Sequence, residues 1–180
     1  AFLTAVYANI WVNDLVVMSE TAAIFFTFVT TIFGLRFVRQ PSRGNAALFA
    51  VAAALAALSR AELLLFLPIV AAVALWRAPL PWKERIFRYT IAGVVCCLVL
   101  APWVIRNNMV MEEPLTLSDG TGTVMVQANC DDTYYGKHLG YWSLRCGAPQ
   151  PHGPNGELLD ESQRDVVVRD RAMTYISNHK

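Results

Sequence analysis

The chain has 180 residues, 55% hydrophobic and 16% charged, with a mean hydropathy of +0.38. That is too apolar for an ordinary soluble domain, and a net charge of +1 gives no electrostatic reason to expect a nucleic-acid partner. The distribution of charge says more. Up to Arg106 the only acids are Asp14, Glu20, Glu62 and Glu84, while the bases gather in two patches. Beyond it the chain turns polar and mildly acidic, with Asp131, Asp132, Glu157, Asp160 and Glu161. The pattern predicts an all-α polytopic membrane region over 1–105, followed by a small mixed extracytoplasmic subdomain over 106–180.

The chain opens without an initiator Met or a basic n-region, so its start does not read as a signal peptide. Its end falls inside an expected helix. Both ends read as cut, and a fragment of a larger multi-pass protein is expected. Residues 1–17 are apolar and aromatic but carry Asn9, Asn13 and Asp14. They read as the end of an earlier span, about 1–12, entering an outer interfacial loop. Residues 21–35 (TAAIFFTFVTTIFGL) form an uncharged segment closed by Gly34 and Arg36, a second span.

Next comes a long apolar run, 46–76, interrupted by Ser59-Arg60-Ala61-Glu62. Arg36, Arg39 and Arg43 precede the run; Arg77, Lys83, Arg85 and Arg88 follow it. Short Arg/Lys-rich loops stay cytoplasmic. With both patches inside, the run must go out and return, giving helices over about 46–58 and 63–76 that turn at Arg60. Each is shorter than the roughly 20 residues of a straight span, so they extend into flanking polar residues or lie in a locally thinned bilayer. Residues 89–105 form the last span, with Trp103 suited to an interfacial aromatic belt. About four to five membrane helices result. Parity puts Glu20, Arg60 and everything from Arg106 onward on the outer side.

In the polar half, 115–117 and 123–126 flank the turn-rich SDGTG stretch and predict a short β-hairpin. An aromatic loop bounded by Cys130 and Cys146 follows, then a Pro/Gly-rich linker over 147–156. A helix is expected over about 160–178, where Asp160 and Gln163 stand three apart as a capping box requires.

An oxidising exterior and a loop with little core of its own favour a Cys130–Cys146 disulfide over free thiols, worth roughly 2–4 kcal/mol. Cys96 and Cys97 read as apolar filler. Glu20 and Asp14 are either boundary charges that favour a helix N-terminus or carboxylates lining an outer cavity, as metal ligand, general base or sugar binder. Arg60 either snorkels and pairs with Glu62, or offers its planar fork to a phosphate; Arg106 is the same kind of candidate. Asp131, Asp132, Tyr134, Tyr135, Lys137 and His138 lack metal-ligand spacing and are read as bracing. His152 and His179 are isolated.

Taken in order, VNDLVVMSETAAIFF, LAALSRAELLLFLP, APWVIRNN and PLTLSDGTGTVMVQANCDDTYYG resemble the GT-C multi-pass glycosyltransferases of the protein O-mannosyltransferase and aminoarabinose-transferase type. The tail, YWSLRC with the later DES and RAMTYISNH, is similar to actinobacterial members. The resemblance implies a polyprenyl-phosphate sugar donor and a protein, lipid or polysaccharide acceptor at the outer face of the cytoplasmic membrane. It puts Glu20 at the family's second acidic position, Arg60 in its L-[ST]-R segment, and Arg106 and Asn107 in its PW-x-x-RN segment. The family's first-loop aspartate has no match, so this stretch alone is expected to be inactive. A divalent metal is left open, with no residues assigned to it. The alternative is a non-catalytic membrane protein: a transporter half, a scaffold or a polyprenyl-phosphate lipid handler. Transporters place polar residues at midplane in broken spans, whereas here they cluster at outer ends. On intact cells, Cys130 and Cys146 are expected to resist a thiol-labelling reagent until reductant is added; labelling beforehand would exclude the bridge.

Overall fold

The computed structural model describes residues 19–147, 149–153 and 155–179. The expected partial span over 1–12 and Asp14 lie outside them. Every regular element among the described residues is helical, and no strand occurs. The chain forms two compact units, Ala1–Pro102 and Trp103–Lys180.

In the first unit, α1 (Ser19–Arg39) carries Glu20 in its first turn and Arg36 and Arg39 in its last, charges that match the helix dipole. Pro41 lies just beyond this helix, and Ser42 caps the next one by accepting from the Asn45 amide at 3.2 Å. The buried Asn45 side chain donates back to the Gln40 carbonyl at 2.7 Å, closing the turn. α2 (Arg43–Ser59) is largely alanine, which favours helix and permits close approach. A 3₁₀ turn (Ala61–Leu65) then leads into α3 (Phe66–Arg77), where Pro68 sits in the first turn, whose amides have no intrahelical partner. α4 (Trp82–Val110) is continuous and carries Pro102 inside it.

Phe37 near the end of α1, Ala46 and Phe49 at the start of α2, and Ala71, Ala74 and Leu75 near the end of α3 share one core cluster. The three helices therefore run antiparallel in sequence, and the expected reversal at Arg60 is present. Gly34 permits the contact: a Cβ there would stand 3.1 Å from Val70 and 3.3 Å from Phe49. Ile91 packs against the same cluster, and Arg43 meets both Glu84 and Phe87, so the first turns of α4 join this end. The basic residues thus collect at one end, opposite Glu20, Arg60 and Glu62. α1 and α4 are each long and apolar enough to cross a membrane; α2 is a shorter apolar helix. On α1, Phe25, Phe28, Ile32 and Leu35 follow helical spacing and are all more than half exposed, as on a lipid-facing stripe.

The second unit packs α5 (Thr121–Ala128) against α7 (Glu161–Asn178) through Val126, Val168 and Ala172. α6 (Asp131–Tyr134) and a 3₁₀ turn (Leu144–Gly147) complete it. The expected β-hairpin is absent. Residues 115–117 run as a strap whose carbonyls accept from side chains of α4: Trp103 Nε1 to Leu117 at 3.0 Å, Asn107 Nδ2 to Thr116 at 3.3 Å, and Asn108 Nδ2 to Leu115 at 2.8 Å. Residues 123–126 lie instead in α5, which Gly120 opens at φ 93°. The expected C-terminal helix is present, with Asp160 and Gln163 as a capping box. Desolvation acts to raise the Asp160 carboxyl, but hydrogen bonds from the Gln163 amide, the Ser162 hydroxyl and the Glu112 amide outweigh it and hold the group below its ordinary range.

Gly122 is where the two helices meet. Its amide donates to Asp165 Oδ1 at 2.7 Å, and a Cβ there would overlap the Asp165 carbonyl and the Arg169 amide. Gly122→Ala is expected to cost about 1–3 kcal/mol in chemical unfolding. Gly44→Ala, inside a helix with open space around it, is the control and should be neutral or slightly stabilising; equal destabilisation by both would refute this packing.

Candidate functional site

The sequence Leu58-Ser59-Arg60-Ala61-Glu62 breaks the helix without orphaning its backbone. The Ser59 hydroxyl donates to the Ala56 carbonyl at 2.6 Å, a local bond that competes with helix continuation. Arg60 leaves helical geometry at φ −149°, ψ 119°, yet its amide still reaches the Ala56 carbonyl at 3.0 Å. The Arg60 carbonyl in turn accepts from the Leu63 amide at 3.0 Å.

This break carries the guanidinium to the first turn of α1. Arg60 donates to Glu20 Oε1 at 3.0 Å and to Glu62 Oε1 at 3.4 Å. The side chains are 45%, 30% and 64% exposed for Arg60, Glu20 and Glu62, so the Glu20 contact is the more sheltered of the two. Glu20 Oε2 is buried with no hydrogen-bond partner among the described residues. The cluster therefore holds one cation between two carboxylates, with one carboxylate oxygen left to accept a proton or a donor. Sequence parity identifies these groups as sharing an end. The Glu20–Arg60 pair, forty positions apart, is not visible in it.

Arg106 and Asn107 belong to the second unit. The exposed Arg106 guanidinium lies 5.6 Å over the Trp103 ring and has no ion pair among the described residues. Asn107 is buried and spends its amide on the Thr116 carbonyl, which ties down the strap. The spacing of Trp103 and Asn107, one turn apart on α4, was the available signal for that role.

Cys130 and Cys146 form the expected disulfide, with Cα atoms 6.0 Å apart. The polar residues of its loop tie it to α7, to the end of α5 and to one another. Asp131 Oδ1 accepts from the Tyr175 hydroxyl at 2.6 Å, Asp132 lies 3.7 Å from His138, and the Tyr134 hydroxyl donates to Asn129 at 2.8 Å. Desolvation, then the Asp131 bond and charge, push the Tyr175 phenol above its usual range. His179 stacks on the Tyr175 ring at 3.9 Å. No group of three or more His, Cys, Asp or Glu side chains placed to hold a metal ion occurs among the described residues.

No family model, curated protein or solved structure matches the chain. The site therefore rests on its own geometry. A double-mutant cycle with Arg60→Met and Glu20→Gln should return a coupling of about 0.5 kcal/mol in unfolding, the size of a partly exposed pair. Additive effects would mean that the two side chains do not meet.

Proposed function

We propose that the chain serves a membrane glycosyltransferase that moves a sugar from a polyprenyl-phosphate donor to an acceptor at the outer face of the cytoplasmic membrane. The reading takes α2 and α3 as a membrane hairpin between α1 and α4, which brings the spans to four, or five with the segment over 1–12. The observation that carries it is the Glu20–Arg60 pair: a carboxylate with a buried oxygen that no described residue engages, held 3.0 Å from a guanidinium, at the end away from the basic loops. The motif resemblance supports the same assignment.

The chemistry needs those two group types. Glu20 takes the proton from the acceptor hydroxyl as its oxygen attacks the anomeric carbon. The bond from that carbon to the phosphate oxygen breaks, and its electron pair leaves with the lipid phosphate. Arg60 stabilises the charge that develops there. Glu62 is exposed and only 3.4 Å from the guanidinium, so an incoming phosphate displaces it more readily than it displaces Glu20. Arg106 enters as a second phosphate-binding candidate on sequence grounds.

One observation favours a second reading. Arg60 is already answered by two carboxylates, as a latch in a non-catalytic membrane protein would be. Transfer of labelled sugar from a polyprenyl-phosphate donor, measured in membranes with the full-length protein, separates the two. Arg60→Ala and Glu20→Gln should each lower transfer about 100-fold or more at unchanged expression, and Arg60→Lys should restore little because the fork is lost. Undiminished transfer by Arg60→Ala leaves the latch.

A further inference from the structure

At the basic end of the first unit, the turn over 78–81 holds α3 and α4 apart. They enclose a groove of about 340 Å³ lined by Ala72, Leu75, Trp76, Trp82, Ile86 and Tyr89, with Arg85 as its one charged wall. A second hollow of about 330 Å³ shares Ala72 and Trp76 and carries Arg77 instead. Trp76 and Trp82 are 82% and 72% exposed. Indoles displayed this way beside cations are the mark of a membrane interface.

Among the described residues the charge at this turn is not balanced. Glu84 is engaged by Arg43 at 3.4 Å and by Arg88 at 3.3 Å. Arg77, Lys83 and Arg85 have no ion pair among the described residues. Arg85 donates from Nε to the Leu80 carbonyl at 2.9 Å and from Nη1 to the Trp76 carbonyl at 3.5 Å. Those bonds fix the guanidinium at the groove and leave Nη2 without a hydrogen bond among the described residues, open to an anion.

We propose that this end of the α3–α4 hairpin is a binding site for an anionic glycerophospholipid of the inner leaflet. Its two acyl chains lie in the hollows that share Trp76, and its phosphate rests among Arg77, Lys83 and Arg85. Apolar hollows take the chains and the unanswered cations take the headgroup, a combination that favours an anionic lipid over a zwitterionic one. The site is independent of the transfer chemistry and lies at the other end of the helices from Arg60.

The test uses the full chain purified in detergent, with phosphatidylglycerol, phosphatidylcholine and glycerol phosphate as probes. Native mass spectrometry and thermal unfolding are the readouts. Phosphatidylglycerol should stay bound and raise the unfolding midpoint, phosphatidylcholine should do so much less, and glycerol phosphate should do nothing. Arg77→Gln with Lys83→Gln spares the carbonyl bonds of Arg85 and should weaken phosphatidylglycerol binding by about fivefold per cation removed. Ala72→Phe, which puts a ring into the ground that both hollows share and keeps every charge, should also weaken binding. Equal retention of the two lipids, an equal response to glycerol phosphate, or full retention by both variants would overturn the site.

Discussion

Where a helix is buried or faces lipid, its backbone amides and carbonyls have no water to fall back on, so each departure from the helix must be closed from within. The first unit meets that demand by different means at the turns on either side of α2. Between α1 and α2, Ser42 and Asn45 supply side-chain partners. At Arg60 the backbone closes on itself, through the Ala56 carbonyl behind and the Leu63 amide ahead. Only because that break is satisfied can a long apolar stretch reverse there and present a charged side chain to the start of α1. The antiparallel core of Phe37, Phe49 and Leu75 follows from the reversal, and so does the separation of the basic end from the Glu20–Arg60 end.

Small residues decide how closely these helices come together. Gly34 and the alanines of α2 and α3 let three helices share one buried seam with Phe37, while Phe25, Phe28, Ile32 and Leu35 of α1 point outward. That is the inverse of a soluble bundle, and it suits a surround as apolar as the core itself. Gly122 does the same for the second unit, where the α5–α7 contact is built on a missing side chain.

Much of this was legible in the amino-acid order. The basic patches on either side of 46–76 identify the reversal, because charge placement is a constraint that acts along the whole helix. Asp160 and Gln163 mark the start of α7 because a capping box is local. Cys130 and Cys146 could be paired because they bracket a loop with little core of its own in the half expected to face an oxidising exterior. The strand expectation failed at 115–126 for a stated reason. Thr123-Val124-Met125-Val126 fits a short helix as well as a strand, and the partners that decide between them lie outside it, in α4 for the strap and in α7 for Gly122. The Glu20–Arg60 contact was hidden for the same reason: charge parity assigns side chains to an end and says nothing of which touch.

The strap over 115–117 has a consequence for self-association. Strand-like segments with free carbonyls are templates on which neighbouring copies add, one ladder bond at a time. Here three successive carbonyls are already capped by an indole and two carboxamides of the same chain. The acceptor half of any ladder is thereby denied along these three residues.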